Sequence, residues 1–380
     1  MKIFDDILVR YTDEGLLPNT FAGIADSRGE IYTGAAGKKN IDHAEPLSTN
    51  AVVAIASMTK PVTTVAALQL AEQKLLDLDA PVTDYIPELS ELKVLQGFDG
   101  SEAILVSAPV PPTTRQLLMH TSGFVYEFWN ANAARLVEEG GAESIFTPST
   151  EFLEVPLSAL PGTRWEYGIG IDWAGRVVES VSGKALDQYF SENIFSPLGM
   201  KNTAFGVSTS NEASRSALHS RENEVLKPIP HMHDLVSGGG GLNSTVSDYL
   251  VFLRMFLNDG TLGGERILGP ETVESMFRNQ IGDFYVTPGS SCMPQVSKDF
   301  DMGFGAAAKW GLGFLLHESQ TGAGRPAGSA SWAGLFNTYF WIDRKNGLCA
   351  LAGSQLLPFY DDYAVALLKE FEAAVYSELT

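Results

Sequence analysis

Cysteine is nearly missing from this chain: Cys292 and Cys349 are the only two in 380 residues. They form no CxxC pair and no Cys/His cluster, which excludes a disulfide framework and a thiolate metal centre. Both are expected to be unpaired, as in a reducing compartment. Basic side chains are scarce as well, 26 against 46 acidic ones, for a net charge of −20. Such a field repels phosphate backbones and excludes nucleic acid as a partner; its plain effect is solubility. No run of 18 or more apolar residues is free of charge, so no membrane span and no membrane partner are expected. Met1-Lys-Ile-Phe-Asp-Asp6 turns acidic at once where a secretory signal would be apolar, and the expected location is cytoplasmic. The GxSxG elbow, the P-loop, GxGxxG and HExxH are all missing, as are internal repeats and low-complexity linkers.

What remains is an ordinary globular composition, 44% hydrophobic and 19% charged, long enough for one large core or two lobes sharing a site. Phe21–Ala25 and Glu30–Gly34 read as two strands joined by a turn at Ser27-Arg-Gly29. From Ser57 to about Leu76, apolar residues cover most of a helix surface, the mark of a helix buried in the middle of a protein. Further helices are expected over 113–120, 172–182, 185–194, 246–258 and 270–278. Asp248 and Glu271 suit the first turns of the last two. Strands return at 309–316, 337–343 and 348–353, the last two joined by a hairpin turn at Asp343–Gly347. An amphipathic helix over about 361–377 closes the chain. The expected fold is α+β: an antiparallel sheet region from residues 1–75 and 290–380, flanked by helices, with a mainly helical region, 76–289, inserted between.

Ser57-Met-Thr-Lys60 opens the buried helix. Positions i and i+3 share a helix face, so hydroxyl and amine come within hydrogen-bond reach. Serine needs a base to become a nucleophile, and lysine serves only when desolvation and a helix N-terminus lower its pKa. The Ser57 N–H at that N-terminus offers one donor to a developing oxyanion. The motif is short, and Ser90-Glu-Leu-Lys93 repeats it in a polar stretch with no buried helix behind; that copy reads as surface. Two later segments add partners in chain order. Trp165-Glu-Tyr167-Gly sets a tyrosine in a glycine-containing loop just before a helix, and Ser331-Trp332-Ala-Gly334-Leu335 enters a strand near the C-terminus.

This order resembles the serine β-lactamase and penicillin-binding-protein superfamily. The resemblance runs over most of the chain. It includes Leu117-Leu-Met-His-Thr-Ser-Gly123, Asp172–Gly183, Pro197-Leu-Gly-Met200 and Gly239-Gly-Gly-Leu-Asn-Ser-Thr-Val-Ser-Asp248. It implies a class C β-lactamase-like fold, catalysis by Ser57, Lys60 and Tyr167, and an oxyanion held by the N–H groups of Ser57 and Leu335. It also implies that His120 is structural. Two departures narrow the substrate. Class C enzymes carry Tyr-x-Asn and Lys-Thr-Gly where this chain has Tyr167-Gly-Ile169 and Trp332-Ala-Gly334. Losing the lysine's charge-assisted hydrogen bond to a substrate carboxylate costs on the order of 1.5–3 kcal/mol, roughly ten- to a hundredfold in binding. Family VIII carboxylesterases and lovastatin-type transesterases share the Trp-x-Gly pattern.

The expected function is therefore a carboxylesterase that forms an acyl-enzyme at Ser57 on small-molecule esters of short or medium acyl chains, with no cofactor. An acyltransferase passing the acyl group to an alcohol or amine is the alternative. A β-lactamase, a D-amino-acid peptidase and a non-catalytic binding protein stand behind it. Substrate contacts are expected from Trp332, Gly334, Tyr126 and Trp129, the last two lining the acyl pocket or packing the local core. A metal site at His231-Met-His233-Asp234 is not expected, because His-x-His diverges on a helix and no ligand cluster lies near in sequence. The Gly238–Gly241 run reads as a close backbone turn beside the site. Coupled Lys60 and Tyr167 leave the identity of the base open.

Overall fold

The computed structural model describes residues 1–207 and 211–380. Its centre is a seven-stranded antiparallel sheet. In spatial order the strands are Ala308–Trp310, Leu315–His317, Ala330–Gly334, Thr338–Asp343, Leu348–Gly353, Asn19–Asp26 and Glu30–Gly37. The two ends of the chain meet inside it: Phe21 pairs with Gly353 and Asp26 with Leu348. Strands buried on both faces explain why Thr338–Asp343 and Leu348–Gly353 read as continuous apolar runs without alternation.

Each face carries helices. A side chain at Gly34 would meet Leu8 of the Lys2–Asp13 helix, whereas one at Gly23 would meet Val246 and Leu250 of the Val246–Leu257 helix. Gly34 pairs with Ala22, the neighbour of Gly23, so these two helices lie on opposite faces. Phe4 of the first helix packs on Phe371 of Asp362–Leu379, ring centroids 5.4 Å apart, which seats the C-terminal helix beside it. The Thr59–Glu72 helix is buried from Thr59 through Leu70, in keeping with its all-round apolar surface.

Three expectations are corrected. Residues 309–316 are not one strand: Ala308–Trp310 and Leu315–His317 pair as a hairpin, because Gly311-Leu-Gly-Phe314 turns the chain back where apolar content alone suggested continuity. The Lys2–Asp13 helix had gone unread; its buried Phe4, Ile7, Leu8 and Tyr11 are spaced three and four apart, a helical stripe hidden among acids. The middle region is less helical than expected. It holds the hairpins Lys93–Asp99/Glu102–Ser107 and Leu218–Glu222/Val225–Ile229 as well as the helices Ala131–Glu138 and Gly170–Ser182. Among the described residues, no helix is long and apolar enough to cross a membrane.

Candidate active site

Ser57 does not begin the long helix itself. It sits in a 3-10 turn, Ala56–Met58, that feeds into Thr59–Glu72. Ala56 adopts φ +43°, a left-handed conformation that costs a non-glycine residue roughly 1–2 kcal/mol. The surrounding structure holds it there. The Ile55 N–H donates to the Leu242 carbonyl, Tyr249 OH donates to the Met58 carbonyl at 2.8 Å, and the Leu242 N–H donates to Thr59 Oγ1 at 3.2 Å. Strain next to a half-exposed serine, fixed from several sides, is the local signature of a presented nucleophile.

One turn further in, Lys60 is fully buried. Its Nζ donates to Ser57 Oγ at 3.1 Å, to Tyr126 OH at 2.8 Å and to the Gly239 carbonyl at 2.6 Å. Burial drives its pKa down to about 7, against an opposing pull from the charge of Asp172. Lysine at that value exchanges a proton near neutrality.

Tyr167 lies on the other side of Ser57. Its oxygen accepts a hydrogen bond from the Trp332 indole Nε1–H at 2.9 Å and faces Ser57. Burial raises the phenol above its ordinary range, while Ser57 and Trp332 as donors pull it back. His120 stands behind Tyr167, ring centroids 4.6 Å apart, with Trp310 closing the other side at 4.9 Å. Burial and the Lys60 charge lower the His120 pKa well below 6.5, so the ring is a neutral packing element.

The Trp332-Ala-Gly334 strand runs past Ser57. A methyl group on Gly334 would collide with the Ile55 carbonyl oxygen and Thr338 Oγ1, so glycine allows the strand to close on the segment leading into Ser57. Ser57, Tyr126, Trp129, Tyr167, Trp332, Gly334 and Leu335 all line one cleft. One wall is aromatic, made by Phe128, Trp129, Phe146, Phe152, Phe300 and Phe359. Polar side chains also line the cleft, among them Arg215, His231, His233, Asp234 and Asn243. Ser90 and Lys93 are exposed, in a 3-10 turn and a strand respectively, away from this arrangement.

Two contacts go beyond what the sequence indicated. Lys60 hydrogen-bonds Tyr126 rather than Tyr167, whose ring centre lies 4.9 Å from Nζ. Tyr126 is thus a partner of the lysine before it is a pocket wall. Trp332 had been read as a lost charge and a substrate contact; its indole N–H is also the donor that holds Tyr167. Asp172, inside a quoted family segment, had been given no role although it is buried beside the lysine. Its interval of five from Tyr167 at the start of a helix was the available signal. Phe300 and Phe359 reach the cleft from distant loops and left none.

A neutralisable buried lysine on a serine oxygen, with a hydrogen-bonded tyrosine facing that serine across an antiparallel sheet edge, defines an active-site-serine protein of the SxxK class. The chain belongs to the Beta-lactamase family, whose profile matches residues 4–374. It is 32% identical over 390 residues to lovastatin esterase of Penicillium rubens, covering 96% of this chain and 95% of that protein. It is 30% identical to monacolin J acid methylbutanoyltransferase of Aspergillus terreus, over 95% of this chain and 92% of that one. Among solved structures it superposes on a simvastatin synthase mutant (LovD6) from Aspergillus terreus with a TM-score of 0.85. Sequence identity there is 29%, over 99% of this chain and 94% of the other. The α+β fold is that of the serine β-lactamase superfamily.

Proposed function

We propose that this enzyme cleaves small-molecule carboxylic esters through an acyl-enzyme on Ser57, releasing the acyl group to water or to an alcohol. The observation that carries the reading is the buried Lys60 ammonium donating to Ser57 Oγ at 3.1 Å in a cleft where Trp332 stands in place of a cation. Ser57 Oγ attacks the ester carbonyl as its proton passes to the neutral Lys60 amine, whose Nζ lies 3.1 Å from Oγ. The Ser57 and Leu335 N–H groups hold the oxyanion. The Tyr167 phenol gives its proton to the leaving alcohol while the Trp332 N–H steadies the oxygen. The proton held by Lys60 then restores the phenol, and water or a second alcohol repeats the sequence in reverse.

The mixed lining suits an ester with an apolar acyl chain or ring system against the aromatic side chains and hydrogen-bonding groups within reach of Arg215 and Asn243. Relatives named as an esterase and as a methylbutanoyltransferase support both outcomes for the acyl group. Cys292 and Cys349 are both unpaired, which supports residence in a reducing, cytoplasmic compartment; cell fractionation tests that point.

The central test is p-nitrophenyl butyrate turnover by the wild type and Ser57→Ala, run beside a chromogenic cephalosporin. Intact-mass detection of the acyl adduct and product analysis with added alcohol complete it. Ester turnover that survives in Ser57→Ala removes the nucleophile assignment. Cephalosporin turnover faster than ester turnover overturns the substrate class.

A further inference from the structure

Asp172 opens the Gly170–Ser182 helix, is 3% exposed, and aims its carboxylate at the Ser237–Gly241 turn. Ser237 Oγ donates to Oδ1, and so does the Gly239 N–H at 3.0 Å; Tyr126 OH lies 3.4 Å from Oδ2. A side chain on Gly239 would collide with this carboxylate, so the turn and the acid are built to touch.

Lys60 meets the same two groups from the opposite side. Its Nζ donates to Tyr126 OH at 2.8 Å and to the Gly239 carbonyl at 2.6 Å. Carboxylate and ammonium are therefore buried together without contact, joined by one hydroxyl and by one glycine, whose N–H donates to the acid and whose carbonyl accepts from the base. A buried charge without an opposite charge nearby is strongly disfavoured, and an intervening hydroxyl transmits the attraction while leaving the lysine free for Ser57. The other titratable groups around Lys60 are Tyr126, Tyr167 and His120; burial favours the neutral form of each. Asp172 is the carboxylate whose charge acts on Lys60.

We propose that Asp172 is a positioning residue of this site: it anchors the Ser237–Gly241 turn beneath Lys60 and, through Tyr126 and Gly239, sets the pH at which the lysine releases its proton. The inference rests on the serine-esterase reading above.

The test is the pH dependence of kcat/KM for p-nitrophenyl butyrate in the wild type, Asp172→Asn and Asp172→Ser. Asparagine keeps an oxygen for Ser237 and Gly239 and removes only the charge. Without that charge the ammonium is less favoured, so the limb titrating near pH 7 is expected to move toward acid by about half a unit or more in both variants. Folded variants whose limb stays at the wild-type position, however slow they are, overturn the proposal. So does the failure of both to fold, since Asp172 would then serve the fold alone. Acyl-adduct formation by the wild type separates the two ideas. If no adduct forms, the esterase reading falls; if it forms and the limb does not move, only the role of Asp172 falls.

Discussion

Replacing Trp332 with phenylalanine keeps an aromatic ring in the strand and deletes the indole N–H that donates to the Tyr167 oxygen at 2.9 Å. Trp332 is 3% exposed and Tyr167 is fully enclosed, so water is poorly placed to supply a substitute donor. As Tyr167 gives its proton to the leaving alcohol the bond gains an ionic acceptor, and such bonds contribute about 1.5–3 kcal/mol against about 1 kcal/mol for a neutral pair. The differential falls on the proton-transfer step, because the bond strengthens only as negative charge builds on the phenol oxygen. The expected loss in Trp332→Phe, from a differential of about 0.5–2 kcal/mol, is roughly two- to thirtyfold in kcat, with KM changed far less. Steady-state kinetics on p-nitrophenyl butyrate measure it, with a thermal melt to confirm the fold. A variant with unchanged kcat, or one whose whole defect lies in KM, refutes the argument. In either case Trp332 would be a pocket wall and not a support for Tyr167.

Three further outcomes follow from the geometry. A methyl group in Gly334→Ala meets the Ile55 carbonyl and Thr338 Oγ1, displacing the strand that carries the Leu335 N–H. A drop in kcat of about a hundredfold or more is expected, together with a stability loss of about 1–3 kcal/mol from the overpacking. Full activity in the folded variant would remove Leu335 from the oxyanion site. Lys60 is neutral in the folded chain above about pH 7, whereas an unfolded lysine holds its proton to about 10.4. Between those values unfolding takes up a proton, so this group's contribution is complete above the upper value and is lost as pH falls to the lower one. Wild-type stability should therefore rise relative to Lys60→Met between pH 7 and 9, by up to about 1.4 kcal/mol per pH unit; equal pH responses in urea titrations count against a depressed lysine. Arg325 and Glu372 form an ion pair at 1% and 2% side-chain exposure. Glu372→Gln leaves the guanidinium buried without its counter-charge, and a loss of about 3–5 kcal/mol is expected by chemical denaturation. A loss under about 1 kcal/mol would show that the buried pair contributes little.

Much of the site was legible because its parts obey short-range rules. The Ser57–Lys60 interval lies on one helix face, and the buried run from Val62 to Leu70 distinguishes it from Ser90–Lys93, whose two ends fall in different elements. The sheet formed from both termini was legible for a similar reason: strands buried on both faces announce themselves by composition. What escaped was set by contacts distant in sequence. Whether Lys60 donates to Tyr126 or Tyr167 depends on how residues 126 and 167 converge on residue 60, and no local periodicity carries that information. Asp172 escaped because an acid in the first turn of a helix already has a sufficient local reason to be there. The Lys2–Asp13 helix escaped because its acidic and basic residues masked a four-residue apolar stripe.

Trp332 shows how a departure from a motif acquires a second meaning once the fold is known. As a residue type, tryptophan in place of lysine removes a cation, and the inference from that absence was a preference for uncharged esters. In the fold, the same indole also provides a neutral N–H donor to Tyr167, a service that a cation at that position could equally perform. The exchange therefore separates two roles a lysine would combine, holding the tyrosine and attracting a substrate carboxylate, and it keeps the first while discarding the second. Reintroducing the charge tests that separation. Trp332→Lys should improve turnover of an ester bearing a carboxylate beside the scissile bond relative to p-nitrophenyl butyrate, by roughly ten- to a hundredfold in the ratio of kcat/KM values. An unchanged ratio in a folded, acylating variant would mean that the charge at position 332 does not govern selectivity, and the preference would then have to come from the aromatic wall of the cleft.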